Sequence, residues 1–138
     1  VVVDDLPRLR FAVREGRPVR VGVDDGEDLI SVAQWAHASA RAWIGPAHVR
    51  LELRDGRLVA TDISANGTAV WRRSGPDDPG RTTWLYGSEY TLNDWDSVEL
   101  YTGIELMLGD RRLATVLARS EPVSVLVDAP TAPMRQLA

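Results

Sequence analysis

The sequence predicts an all-β domain with one short helix inserted into it. Three observations carry that expectation. Apolar and polar residues alternate over short runs, the signature of strands with one buried face. Turn-forming pairs punctuate those runs at Asp55-Gly56, Asn66-Gly67, Asn93-Asp94 and Thr102-Gly103. One alanine-rich stretch, residues 31–43, follows helical spacing instead. At 138 residues the chain suffices for one domain with its own core.

Residues 1–7 form an acidic lead-in ending in Pro7. Leu9, Phe11 and Val13 alternate with Arg8, Arg10 and Arg14, giving a half-buried strand with an arginine-rich outer face. Glu15-Gly16-Arg17-Pro18 turns the chain, and Val19-Val21-Val23 is the expected return strand. Asp24-Asp25-Gly26-Glu27-Asp28 reads as a solvated acidic loop. Its carboxylates would suit Ca²⁺ or Mg²⁺, yet it lacks the alternate spacing and distal Glu of an EF-hand, so no metal is assigned. In the insert 31–43, Ser31-x-x-Gln34 matches a capping box, and Val32, Trp35/Ala36, Ala40 and Trp43 recur at helical spacing. Gly45-Pro46 supplies the stop. Alternation of alanines with His37, Ser39 and Arg41 leaves a strand as the alternative. Trp35 and Trp43 are expected to pack the insert onto the sheets; the alternative leaves one exposed as an interface anchor.

Val49-Leu51-Leu53 and Leu58-Val59-Ala60 flank Asp55-Gly56, the arrangement of a tight hairpin whose central residues both need φ > 0. Ser64-Ala65-Asn66-Gly67 makes a second rigid turn, because Ser and Asn side chains bond neighbouring backbone and Asn-Gly tolerates left-handed angles. Rigid polar turns on a β scaffold are where binding residues sit, so residues 48–70 form the expected working edge. Residues 71–83 read as a long mobile surface connection, broken by Gly75-Pro76 and Pro79-Gly80, with a partner-binding loop as the alternative. Trp84-Leu85-Tyr86, Val98-Leu100 and Ile104-Leu106-Leu108 read as core strands. Leu113–Leu117 and Val123–Val127 read as closing strands. From Asp128 onward the chain reads as a tail or linker, which leaves 8–127 as the domain.

Composition excludes several functions. There is no cysteine, so neither disulfides nor thiolate metal sites can form. No apolar run approaches a membrane span. All 16 basic residues are arginine, but the net charge of −4 argues against a nucleic-acid binder, which needs a basic face to release counterions. The sequence contains no nucleophile elbow, phosphate-cradling Gly-Lys loop or zinc spacing, so catalytic residues, metals and cofactors are all expected to be none. The opening Val-Val-Val-Asp-Asp has neither Met nor a signal-peptide pattern, as expected of a piece or internal domain of a longer protein.

At three places the chain resembles the forkhead-associated (FHA) family. His48-x-x-Leu51, a strand pair, and then Asp62-x-Ser64-x-Asn66-Gly67-Thr68 is similar to the family's central signature. Leu92-x-x-Trp95-Asp96-x-Val98-x-Leu100 resembles its later Leu-x-x-Gly-Asp-x-Ile-x-Leu, with Trp95 in place of Gly. Arg20-Val21-Gly22-Val23 and the acidic loop after it resemble the Ile-Gly-Arg strand end. These matches cover residues 8 to 110. The resemblance implies an FHA/SMAD-like two-sheet β-sandwich of about ten to eleven strands. It further implies a cytoplasmic phosphothreonine-reading module of Ser/Thr-kinase signalling, with His48 bracing the loops and Asn66 holding a peptide backbone.

This chain departs from that pattern where phosphate is gripped. Val23 stands where a phosphate-contacting Arg belongs, and Gly45 and Pro46 occupy the Ser and Arg positions. A phosphate dianion needs charge-assisted donors, which Arg supplies as a fork. Val and Gly have no side-chain donor, and Pro lacks even the N–H. The expected function is therefore a non-catalytic interaction module. It would bind a protein or peptide partner without phosphothreonine through Asn66, Ser64, Ala65, Gly67, His48 and Gly45. In the alternative, Arg41 or Arg50 replaces the missing arginine and a phosphopeptide is read. A third reading is a structural or oligomerisation domain. Neither nucleic acid nor membrane is an expected partner.

Overall fold

The computed structural model describes residues 9–108 and 123–128 of the chain. They form two antiparallel-rich sheets packed over one core, an all-β sandwich. The strands are β1 (Leu9–Val13), β2 (Val19–Gly22), β3 (Leu29–Ser31), β4 (Val49–Arg54), β5 (Arg57–Asp62), β6 (Thr68–Arg72), β7 (Arg81–Leu85), β8 (Glu89–Thr91), β9 (Ser97–Tyr101), β10 (Ile104–Leu108) and β11 (Val123–Asp128). One sheet runs β1-β11-β10-β9-β6-β7 and the other β3-β2-β4-β5-β8. The expected strand at 113–117 lies outside the described residues. Among the described residues no helix is long and apolar enough to cross a membrane.

Side-chain period decides which residues meet in the middle. In β4, Val49, Leu51 and Leu53 are buried while Arg50, Glu52 and Arg54 face outward. They join Val70, Val98, Leu106 and Val127 of the other sheet in a single apolar cluster. The β4–β5 hairpin closes through Asp55 and Gly56 with φ of 53° and 77°, the double left-handed turn its sequence demands.

The structure corrects four expectations. β2 is not the return strand of β1. It pairs with β4 and β3, whereas β1 pairs with β11 in the opposite sheet. Crossing between sheets at residues 14–18 lets Val13 and Val21 bury in the common core from opposite sides. The insert is not one capped helix. It is a 3-10 turn (Ala33–Trp35) and a six-residue helix α1 (Ala38–Trp43), separated at Ala36 by extended backbone. Ser31 does not cap Gln34; its hydroxyl accepts from the Ala33 amide and donates to the Val23 carbonyl. Residues 73–80 join two neighbouring strands as a hairpin loop, tied by Asp78, whose carboxylate accepts from Ser74 and Gly80. Finally, Leu85 alone of Trp84-Leu85-Tyr86 faces the core; Trp84 is 47% and Tyr86 70% exposed.

Candidate functional site

The turns that join β2 to β3, the insert to β4, and β5 to β6 converge at one edge of the sandwich. Two buried polar side chains hold them. Asp62, at the end of β5, accepts at Oδ1 from the Ser64 amide (3.2 Å), the Ser64 hydroxyl (2.6 Å) and the Thr68 hydroxyl (2.6 Å). Its Oδ2 accepts from the Gly87 amide at 2.8 Å. A carboxylate with this many donors closes the Ser64–Gly67 turn around itself and ties it to the segment after β7. Burial pushes the Asp62 carboxyl up, but the hydroxyl and amide donors outweigh it and hold it below the usual carboxylate range.

His48 is fully buried and spans the gap between two loops. Its Nδ1 accepts from the Gly45 amide at 3.1 Å, so the proton sits on Nε2, which donates to the Gly67 carbonyl at 2.9 Å. Burial lowers its pKa, against the Gly67 carbonyl and the nearby Asp62 charge, which both favour the cation. A neutral ring is also what the Gly45 bond requires, since imidazolium has no acceptor nitrogen.

Around these two hubs the predicted residues take unequal places. Ser64 lends its hydroxyl to Asp62 and accepts the Gly67 amide at 2.8 Å, so it builds the turn. Asn66 donates from Nδ2 to the Trp43 carbonyl at 2.8 Å, fastening the turn to the insert. Ala65 is exposed at the tip. Gly67 is buried with φ of 93°, and a Cβ there would run into the Tyr86 ring. The Gly45 and Pro46 carbonyls accept the amides of Val23 (3.1 Å) and Asp24 (3.3 Å), stitching these loops together through backbone. Any side chain at Gly22 would land on the Pro46 carbonyl.

Neither substitute arginine stands ready at this edge. Arg41 folds back over the insert, donating from Nε to the Ala36 carbonyl and from Nη2 to the Ala33 carbonyl, both at 2.8 Å. Arg50 opens onto the outer face of its sheet, between Arg20 and Thr61 in register, with Nη2 4.0 Å from Glu52. It does not share the buried setting of His48. Among the described residues no group of three or more potential ligands converges to hold a metal ion.

Sequence reasoning missed two features. Asp62 was visible as the first residue of Asp62-x-Ser64-x-Asn66-Gly67-Thr68, a spacing that lets one carboxylate serve both hydroxyls. The other is an arc of apolar side chains. Among the described residues the large exposed hydrophobics are Trp43, Ile63, Trp84 and Tyr86; three of them border the Ser64–Gly67 turn and Trp84 extends the arc beyond it. Trp43 receives Asn66, Ile63 precedes Ser64, Tyr86 lies against Gly67, and Trp84 stacks on Tyr86 at 6.1 Å and 16°. No family model matches the chain, and neither the curated proteins nor the solved structures yield a match.

Proposed function

We propose that this chain is a non-catalytic interaction module of the forkhead-associated type whose loop edge binds an unphosphorylated protein segment. The arc of exposed apolar side chains around a rigid turn carries the reading, because contiguous exposed apolar surface marks protein interaction sites. Trp and Tyr are also the residue types that dominate such contacts. Three further observations support independence from phosphate. The loop positions that would need donors are Val23, Gly45 and Pro46, closed on one another by their own backbone. Arg41 is already committed to two carbonyls. The acidic loop after Val23 adds negative charge beside the edge, which disfavours a dianion.

Calorimetric titration with a degenerate phosphothreonine peptide pool and its unphosphorylated twin tests the proposal. Equal binding to both pools, or to neither, is the expected result. Micromolar affinity for the phosphorylated pool alone overturns it.

A further inference from the structure

The exposed aromatic arc ends on β7, an edge strand among the described residues. β7 closes one side of the six-stranded sheet, with β6 as its neighbour on one flank and no described strand on the other. The edge strands of the second sheet, β3 and β8, are three residues each, whereas β7 offers five. Edge strands present unpaired N–H and C=O groups that template another strand, and short edges are one way proteins suppress this. β7 is instead continuous with exposed aromatic surface. Thr82 and Trp84 point outward while Leu85 is buried.

At its other end β7 carries one member of a like-charged pair. Arg81 lies directly opposite Arg72 of β6, and among the described residues neither has a carboxylate within ion-pair distance. Asp78, whose oxygens accept from Ser74 and Gly80, offsets part of the Arg81 charge. Like charges directly across a strand pair are unfavourable, so the pair favours an incoming anion.

We infer that β7 docks an extended, unphosphorylated segment of a partner protein by strand addition. The segment carries a carboxylate beside Arg81 and, three residues away on its opposite face, an apolar side chain against Trp84. Backbone bonds to the edge supply affinity, and the two side chains supply register and selectivity. A second copy of this chain fits poorly. Antiparallel self-pairing centred on Thr83 sets each Arg81 beside the buried Leu85 of the other copy, and parallel pairing sets Arg81 against Arg81. The inference rests on the chain being an interaction module but uses an element outside the loop turns.

The test selects random unphosphorylated decapeptides on phage against the full chain, then follows amide shifts as the strongest peptide is titrated. Expected are shifts along Arg81–Leu85 and a consensus with an apolar residue three positions from Asp or Glu. Trp84→Ala should weaken binding by about tenfold or more. Arg81→Glu should weaken it by about two- to fivefold, with recovery when the peptide's acid is changed to Arg. Both residues are exposed, and circular dichroism confirms that the variants fold. Shifts confined to Ile63–Gly67 overturn strand addition while leaving the module reading in place. Enrichment of no peptide overturns strand addition, and the calorimetric titration decides the module reading separately.

Discussion

Asp62 and His48 each answer for several backbone groups, so single-atom changes there should be felt well beyond the site. Asp62→Ala strands two hydroxyls and two amides and should cost about 3 kcal/mol in urea unfolding, at the upper end for bonds to a charged acceptor. Acid should act in the same direction in two windows. The folded state keeps His48 below its ordinary 6.5, so the unfolded chain takes up the proton first and stability declines as pH falls from 6.5 toward the folded pKa. Asp62 is held below its ordinary 3.8, so its contribution is complete above that value and is lost as pH falls through the lowered pKa. Melting temperature against pH should show both limbs, and His48→Gln should abolish the upper one. The bracing role of His48 was expected only from the family resemblance, and the structure gives its ring two backbone partners, the Gly45 amide and the Gly67 carbonyl. The roles of Asn66 and Arg41 were not legible in the sequence, because each is decided by where the insert lies, and sequence spacing does not determine that.

The insert and the Gly67 corner show how elements set the exposure of single side chains. Trp35 is 5% exposed and Trp43 38%, although both sit in one short apolar pattern. The break at Ala36 rotates the second segment relative to the first, so a continuous helical wheel misassigns their faces. Trp35→Ala should therefore destabilise by about 3–5 kcal/mol, the range of buried aromatic truncations, and Trp43→Ala by well under half of that. Chemical denaturation of the two variants distinguishes them. At Gly67 a side chain meets both a positive φ and the Tyr86 ring. Gly67→Ala should cost about 1–3 kcal/mol, and adding Tyr86→Ala should relieve the steric part while the backbone part persists. Hairpins at Asp55-Gly56 and Thr102-Gly103 were readable because their chemistry is local. The partners of β1 and β2 were not, since two adjacent amphipathic runs satisfy a hairpin and a sheet-to-sheet crossing equally well.

At the scale of the molecule, the sandwich is built from pairings distant in sequence, with β1 beside β11 as the extreme case. Loop-closure entropy must be overcome before such contacts form, so refolding should take about milliseconds to seconds, as for other sandwiches of this kind. Stopped-flow tryptophan fluorescence would read it; a microsecond phase carrying the full amplitude would contradict the pairing. The same β1–β11 ladder has a mechanical consequence. Leu9 opposes Val127 and Val13 opposes Val123, so the outer ends of the two strands leave the sheet side by side. Tension applied through Leu9 and Asp128 would load the ladder from one end and open its hydrogen bonds one after another. A fold whose end strands lay parallel would have to break those bonds together, by shear. Held in an optical trap by these two points, this domain should yield at low force, peeling from β1 before the loop edge feels any load.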